Sequence, residues 1–258
     1  FIAVMLRSPL RGMAGQSGGG GSGGPLFIPG AQFDGVTDFM VNNSFPIPPS
    51  SPFLMARFSF YLTGDPGYYN VIYASGSSSV LFYIHPDGNL QFIVNGIGQY
   101  LAIRSTDPIP FDSWQTVLFA CDTNHPSGSK PVHLWINGIN SLGFIEDQYS
   151  AFTISHSSSV TIGALPNEGL KLEGALAGMW VGCGQYLDFS DSVNRLKFTD
   201  GTGNPKKDLG VDGSLPTGTA PDIYLNHNYL SFQTNEGTAG DFTVYGALSE
   251  PGSEVPAA

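Results

Sequence analysis

Carboxylates, histidines and aromatics are the side chains of this sequence with chemistry to offer, and their spacing decides what that chemistry is. Hydrolysis of a glycosidic bond needs two carboxyl groups facing each other across a cleft, one as nucleophile and one as acid/base. Glu146 and Asp147 are adjacent, and adjacent strand residues point to opposite faces. Glu168 and Glu173 stand five apart in a Gly-rich stretch. Neither pair sets two carboxylates over one bond. Serine is abundant, but no G-x-S-x-G elbow occurs. His85, His125, His133, His156 and His227 are scattered without metal-ligand spacing, so each reads as a loop or surface histidine. These patterns predict a non-enzyme without a cofactor.

Sugar binding asks for something else: an aromatic platform with amide or carboxylate groups beside it, because sugars present apolar faces and hydroxyl edges. Trp135 and His133 share one face of an alternating segment, and Tyr68, Tyr69 and Tyr100 add aromatics at loop ends. These five are the ligand-binding candidates. The competing expectation buries Trp135 against a second sheet or a neighbouring subunit. Trp114 and Trp180 lie in more apolar surroundings and are expected in the core.

The elements that must position these residues are strands. Residues 114–121 are apolar on both alternating faces, as in a strand covered on both sides. A turn-rich loop, TNHPSGSK, leads to Val132–Asn137, where Val132, Leu134 and Ile136 take one face and His133, Trp135 and Asn137 the other. Asn137-Gly138 signals a tight turn. The clearest period-two pattern sets Leu54, Ala56, Phe58, Phe60 and Leu62 against Met55, Arg57, Ser59 and Tyr61, predicting one packed face and one at least partly wet face. Further strands are expected at 69–74, 80–85, 90–94, 100–104, 152–154, 160–163, 174–182, 223–225 and 242–245, separated by turns. One short helix is expected at 191–198, capped by Ser190 or Asp191, with Phe189, Val193 and Leu196 at helical spacing. No helical crossovers for a parallel sheet are present, so the pattern predicts an all-β sandwich or barrel.

Composition agrees. In 258 residues there are 34 Gly and 19 Pro, with 12% charged and 12% aromatic residues, which suits short strands and tight turns. Net charge is −11. Residues 1–25 carry Arg7 and Arg11 and no acid, leaving a body of net −13, a poor partner for nucleic acid or an anionic membrane surface. No apolar run reaches the roughly 20 residues of a membrane span. Cys121 and Cys183 sit in apolar strands and are expected as buried free thiols rather than a bridge. The domain organisation expected is an N-terminal arm over 1–25, a sandwich over 26–248 with a C-terminal extension from about 187, and a loose tail over 249–258. The arm ends in a Gly/Ser linker with no core-forming side chains. Its apolar end is the expected anchor to a larger assembly, through Phe1, Ile2, Val4 and Leu6, with Arg7 and Arg11 beside them.

Several segments, taken in order, resemble the laminin-G-like branch of the concanavalin A-like lectin/glucanase fold: AQFDGVTDFM (Ala31–Met40), FLMARFSFYL, DSWQTV (Asp112–Val117), HLWINGIN (His133–Asn140), VTIGA (Val160–Ala164) and LEGALAGMWVG (Leu172–Gly182). The resemblance implies an antiparallel two-sheet jelly-roll sandwich. Glucanases of that fold carry their acids as E-x-D-x-E on one strand, a pattern missing here, which makes an endoglycosidase the least favoured function. Laminin-G-like domains often hold calcium at one edge, and the resemblance makes Asp34, Asp38 and Asp188 the candidate oxygen donors. Residues 187–248 look like the C-terminal part of laminin-G-like proteins of tailed phages and prophages. That implies a virion structural protein, a fibre, decoration or adhesin protein, on the particle surface. Its arm would contact capsid, neck or tail proteins, it would form a homo-oligomer such as a trimer, and it would attach to a host-surface glycan. The alternative is a carbohydrate-binding module of a bacterial surface or secreted protein.

Overall fold

A computed structural model describes residues 27–46, 50–63, 67–76, 79–96, 99–147, 150–167, 169–252 and 255–256. The proposed anchoring residues Phe1, Ile2, Val4, Leu6, Arg7 and Arg11, and Glu168, lie outside the described residues. The strands are β1 (Phe27–Ile28), β2 (Gly30–Asp34), β3 (Phe39–Asn42), β4 (Phe53–Leu62), β5 (Asn70–Ser75), β6 (Val80–Ile84), β7 (Leu90–Gly96), β8 (Gln99–Ser105), β9 (Gln115–Asp122), β10 (Val132–Ile136), β11 (Ile139–Asn140), β12 (Leu142–Asp147), β13 (Val160–Ile162) and β14 (Glu173–Cys183). After the short helix α1 (Ser192–Arg195) come β15 (Ile223–Leu225), β16 (Thr243–Tyr245) and β17 (Val255–Pro256).

Two antiparallel sheets make a jelly-roll sandwich. One, here the β4 sheet, runs β11-β10-β9-β4-β14-β15, with β2 also paired to β14. The other, the β7 sheet, runs β12-β8-β7-β6-β5-β13-β3-β16. Alternation builds the core between them: Phe58 and Phe60 from β4 and Phe119 from β9 meet Phe82 and Phe92 from β6 and β7. Phe92 and Phe119 stack across the gap with centroids 4.2 Å apart. The Asn137-Gly138 turn forms as expected, both residues at positive φ (50° and 76°), the geometry of a tight hairpin between β10 and β11.

The expected wet face of β4 is buried. Met55, Leu118, Ala120, Trp180 and Tyr224 project from the outside of the β4 sheet and form a second core with Phe189, Phe198 and Leu209. The C-terminal extension therefore lies over the sheet as a third layer. In cross-strand register, one row of the outer face reads Trp135, Leu118, Arg57, Trp180, Tyr224. Arg57 is almost wholly buried in it, donating to the carbonyls of Gly178 and Lys206. The Trp180 indole N–H donates to the Gly213 carbonyl at 2.9 Å, which ties sheet to extension. Gly203 lets the extension rest on the hairpin, because a Cβ there would fall 2.3 Å from the Asn137 carbonyl carbon.

Four other expectations change. Trp114 belongs not to the main core but to a small cluster with Ile28 and Ala177, tilted against Tyr61. The helix spans only Ser192–Arg195, capped by the Asp191 carboxylate, and Val193 and Leu196 face outward; buried Phe189 and Phe198 anchor the segment instead. Residues 152–154 form no strand of their own beyond a bridge of Ile154 to Ser51, whereas β12 forms where no strand was expected. The tail expected to be loose is paired in part, with Ser249 opposite Gln32 and β17 against β1.

Candidate functional site

His133 and Trp135 project, as the alternation requires, from the outer face of β10, but that face meets the extension. The Nε2 of His133 lies 3.0 Å from the Tyr186 hydroxyl and 3.2 Å from the Asp188 carboxylate. Burial pushes the His133 pKa down; Asp188 pulls it up and Arg195 pushes it down again. The Arg195 guanidinium sits over the Trp135 ring, 3.7 Å from its centroid, and also donates to the carbonyl of Ser190 at 3.0 Å. The indole face expected to stack a sugar is already stacked by an arginine of its own chain. The exposed platform at Trp135 and His133 is therefore corrected to an internal seam. The signal that could have found this lay in Phe189, Phe198 and Tyr224, apolar side chains in a turn-rich stretch that needed a surface to cover.

The candidate calcium donors do not converge. Asp34 Oδ1 accepts the backbone N–H groups of Val36 (2.8 Å), Thr37 (2.7 Å) and Asp38 (2.9 Å), and its Oδ2 accepts the Thr37 hydroxyl. Burial pushes its pKa up, but these hydrogen bonds outweigh burial and hold the carboxyl well below the usual carboxylate range. Asp38 accepts from Asp34 N–H and from Ala247 N–H at 2.8 Å. Both carboxylates thus close a turn. Asp34 pairs with Glu173 at one end of β14, whereas Asp188 follows the other end at Cys183 and caps the Ser190 N–H. Among the described residues no three His, Cys, Asp or Glu side chains are placed to share a metal ion.

The remaining carboxylates and thiols are engaged or enclosed. Glu146 accepts the Tyr100 hydroxyl, and the buried Asp147 pairs with Lys130 at 2.6 Å. Tyr100 is the second residue of β8, beside the β7–β8 connection, and does not line the cavity that Tyr68 and Tyr69 share. Cys121 and Cys183 are free and buried, and burial pushes both thiols up, away from the reactive thiolate. Cys183 lies 3.6 Å from His156 Nδ1, and its backbone N–H donates to Asp222 at 2.6 Å, a polar knot between the end of β14, a loop and the extension.

Tyr68 and Tyr69 are the expected ligand residues that meet in a cavity. They lie just before β5, at the edge of the sandwich. With Gly35 and Val36 of the β2–β3 turn, Asn70, Leu170, Lys171 and Glu173 they line a cleft of ≈ 390 Å³. That is within the range of small-ligand sites. Tyr68 is 80% exposed. Tyr69 is braced by Tyr83 (5.7 Å between centroids) and by the edge of His85 (5.2 Å). His85 is held by Asp87 at 2.9 Å, and Asp87 also binds Arg104. Asn70 fixes the floor: it donates to the Tyr68 carbonyl and accepts the Glu173 N–H at 2.9 Å. Lys171 donates to the Val36 carbonyl at 2.7 Å and lies over the Phe39 ring. Sequence reasoning named the tyrosines but missed Val36, Leu170, Lys171 and Glu173, which long-range pairing brings to the same edge.

No family model and no curated protein matches the chain. Solved structures do. A Bacteroides ovatus protein provisionally described as carbohydrate binding superposes with a TM-score of 0.58 at 15% identity, covering 90% of this chain and 62% of that one. Domains LG4-5 of the mouse laminin α1 chain give 0.43 at 17% identity over 60% of this chain and 41% of that one. CBM40 of the Ruminococcus gnavus IT-sialidase, solved with α2,3 sialyllactose, gives 0.44 at 14% identity over 64% and 95%. The chain thus spans less than two thirds of the first two proteins. At these identities the likeness concerns the fold alone, and it is the first that carries weight: the chain shares its sandwich architecture with the Bacteroides ovatus protein.

Proposed function

We propose that the chain is a non-enzymatic surface-attachment protein that binds glycan through the edge cleft. The observation that carries this reading is the exposed Tyr68 ring beside a braced Tyr69 in a cleft edged by Lys171 and Glu173. An aromatic face next to fixed polar groups matches the apolar faces and hydroxyl edges of a sugar. A catalytic role has little to stand on, since Glu146 and Asp147 are committed to Tyr100 and Lys130. The test is a glycan array followed by titration. Saturable binding that Tyr68→Ala weakens markedly and Trp135→Ala leaves intact is expected. An array silent at millimolar glycan sinks the reading.

The setting we propose is the surface of a tailed-phage particle, with residues 1–25 as the anchor to capsid, neck or tail proteins and a homo-oligomeric, trimeric assembly. Support comes from the resemblance of residues 187–248 to phage laminin-G-like proteins and from the composition of the arm. Deleting residues 1–25 is expected to remove the protein from purified particles while leaving a folded, glycan-binding body. Normal incorporation of the truncated chain refutes the anchor. The likeness to the Bacteroides ovatus protein favours a second setting, a carbohydrate-binding module of a bacterial surface or secreted protein, in which the truncation leaves function untouched.

A further inference from the structure

We propose that the edge cleft takes an N-acetylhexosamine, a neutral sugar ring recognised by its acetamido group; this rests on the glycan-binding reading and names its ligand class. Leu172 is wholly buried in the main core, and alternation therefore sends its neighbours Lys171 and Glu173 together toward the cleft. Two residues along an extended chain set them about 6.6 Å apart. Lys171 is a donor only, and ionised Glu173 an acceptor only. One Lys171 N–H is used on the Val36 carbonyl, which holds the ammonium in place and leaves its other protons to give. A trans amide points its C=O and N–H in opposite directions, so an acetamido group can accept from Lys171 and donate to Glu173 at once. A plain hydroxyl must meet both partners through one oxygen atom and so does not match separate donor and acceptor groups in this way.

The rest of the cleft agrees with this. Val36 is 70% exposed and Leu170 42%, and these two aliphatic lips offer the acetyl methyl an apolar contact that an unsubstituted hexose would leave unused. Tyr68 is left for the ring face. Leu170 has a backbone φ of 24°, outside the regions open to a branched side chain at no cost. Strain of that kind gathers where a side chain must be held in place for a ligand. The Lys171 and Glu173 charges cancel within the cleft, and the body around it is strongly acidic, so an anionic sugar gains nothing there.

The test is calorimetric titration of the full chain with oligosaccharides of N-acetylglucosamine and of N-acetylgalactosamine, with their glucose and galactose counterparts, and with a 6-deoxyhexose. The acetamido sugars are expected to bind at least tenfold more tightly than the others. Glu173→Gln is expected to cut that preference severalfold, and Tyr68→Ala to weaken every sugar about tenfold, both with an unchanged thermal unfolding midpoint. Plain hexoses binding as tightly as acetamido sugars overturn the inference but leave the cleft a glycan site. A 6-deoxyhexose binding as tightly does the same, and points to the methyl alone. No binding by any neutral sugar overturns the underlying reading as well, and full binding by Tyr68→Ala removes the cleft as its location.

Discussion

The outer faces of the two sheets begin from similar alternating sequences and end in opposite environments. On the β4 sheet the outward row of Trp135, Leu118, Arg57, Trp180 and Tyr224 lies beneath residues of the extension, and β4 is buried on both faces over most of its length. On the β7 sheet the corresponding row of Ala74, Leu81, Ile93, Ala102 and Glu146 is covered only in part, and β7 alternates buried with half-buried residues. A sandwich has two such outer faces, and this chain seals one and keeps the other. The sealed face holds the tryptophan and histidine that look most like a sugar platform. The tyrosine cleft opens at one end of the sandwich, where Tyr69 leans on Tyr83 of the unsealed sheet. An aromatic residue on an alternating strand thus has no functional meaning until it is known what else in the chain competes for its face.

The comparison makes measurable demands. The largest effect is expected at Trp180: removing a fully buried indole from under the extension by Trp180→Ala should cost about 3–5 kcal/mol in denaturant unfolding. Ile93→Ala, on the outer face of the open sheet, should cost about 1–2 kcal/mol, because the lost methyl groups are only half buried. Equal costs would show that the two faces do not differ as described. Next comes Arg57→Ala, expected to cost about 2–3 kcal/mol by stranding the Gly178 and Lys206 carbonyls away from water. Arg57→Met, which fills the space and removes a buried charge that burial already disfavours, should cost less.

A pH dependence should follow from the knot that joins extension and sandwich. Burial pushes the His156 pKa down to about 4 from an ordinary 6.5. The folded state therefore resists protonation that the unfolded state accepts. The associated stability is complete above about pH 6.5 and is lost as the pH falls through about 4. Asp222, which accepts the Cys183 N–H in the same knot, runs the other way: burial pushes its pKa up, so its contribution is greatest in acid and declines as pH rises above its unfolded value. Comparison with His156→Asn isolates the histidine: the variant should lose less stability than the parent between pH 6.5 and 4, by on the order of 2 kcal/mol. Parallel pH profiles would place His156 in contact with water. The smallest effect on stability is expected at Tyr68→Ala, within about 0.5 kcal/mol of the parent, since the ring is mostly in solvent. That variant should weaken glycan binding all the same.

Much of the architecture was legible because strand alternation is local. Leu54 to Leu62, Val132 to Ile136 and the Asn137-Gly138 turn declare their inward faces and their reversal through neighbouring residues alone, and the two sheets take them as expected. The tyrosine pair was legible for the same reason: adjacent aromatics at a strand entry, preceded by turn residues, have few places to go but the rim. The sealed face was not legible in that way. Whether Met55 and Arg57 meet water depends on residues 189–224, more than 130 positions away in sequence, and no periodicity links the two. Asp34, Asp38 and Asp188 looked equivalent as oxygen donors because composition does not record that Asp34 spends its lone pairs on its own turn, or that Asp38 divides its own between that turn and the distant Ala247 N–H.

By itself, then, the sequence determined an all-β chain with two inward faces and buried thiols, since each of these follows from residue type and the two-residue period of a strand. Tertiary structure alone decided that Trp135 stacks on Arg195 and that Lys171 and Glu173 share a cleft with Tyr68. The physical reason is that a half-apolar face is equally content with water, a ligand or another part of its own chain. Only the long-range packing of the extension, burying Phe189, Phe198 and Trp180 together, selects among them.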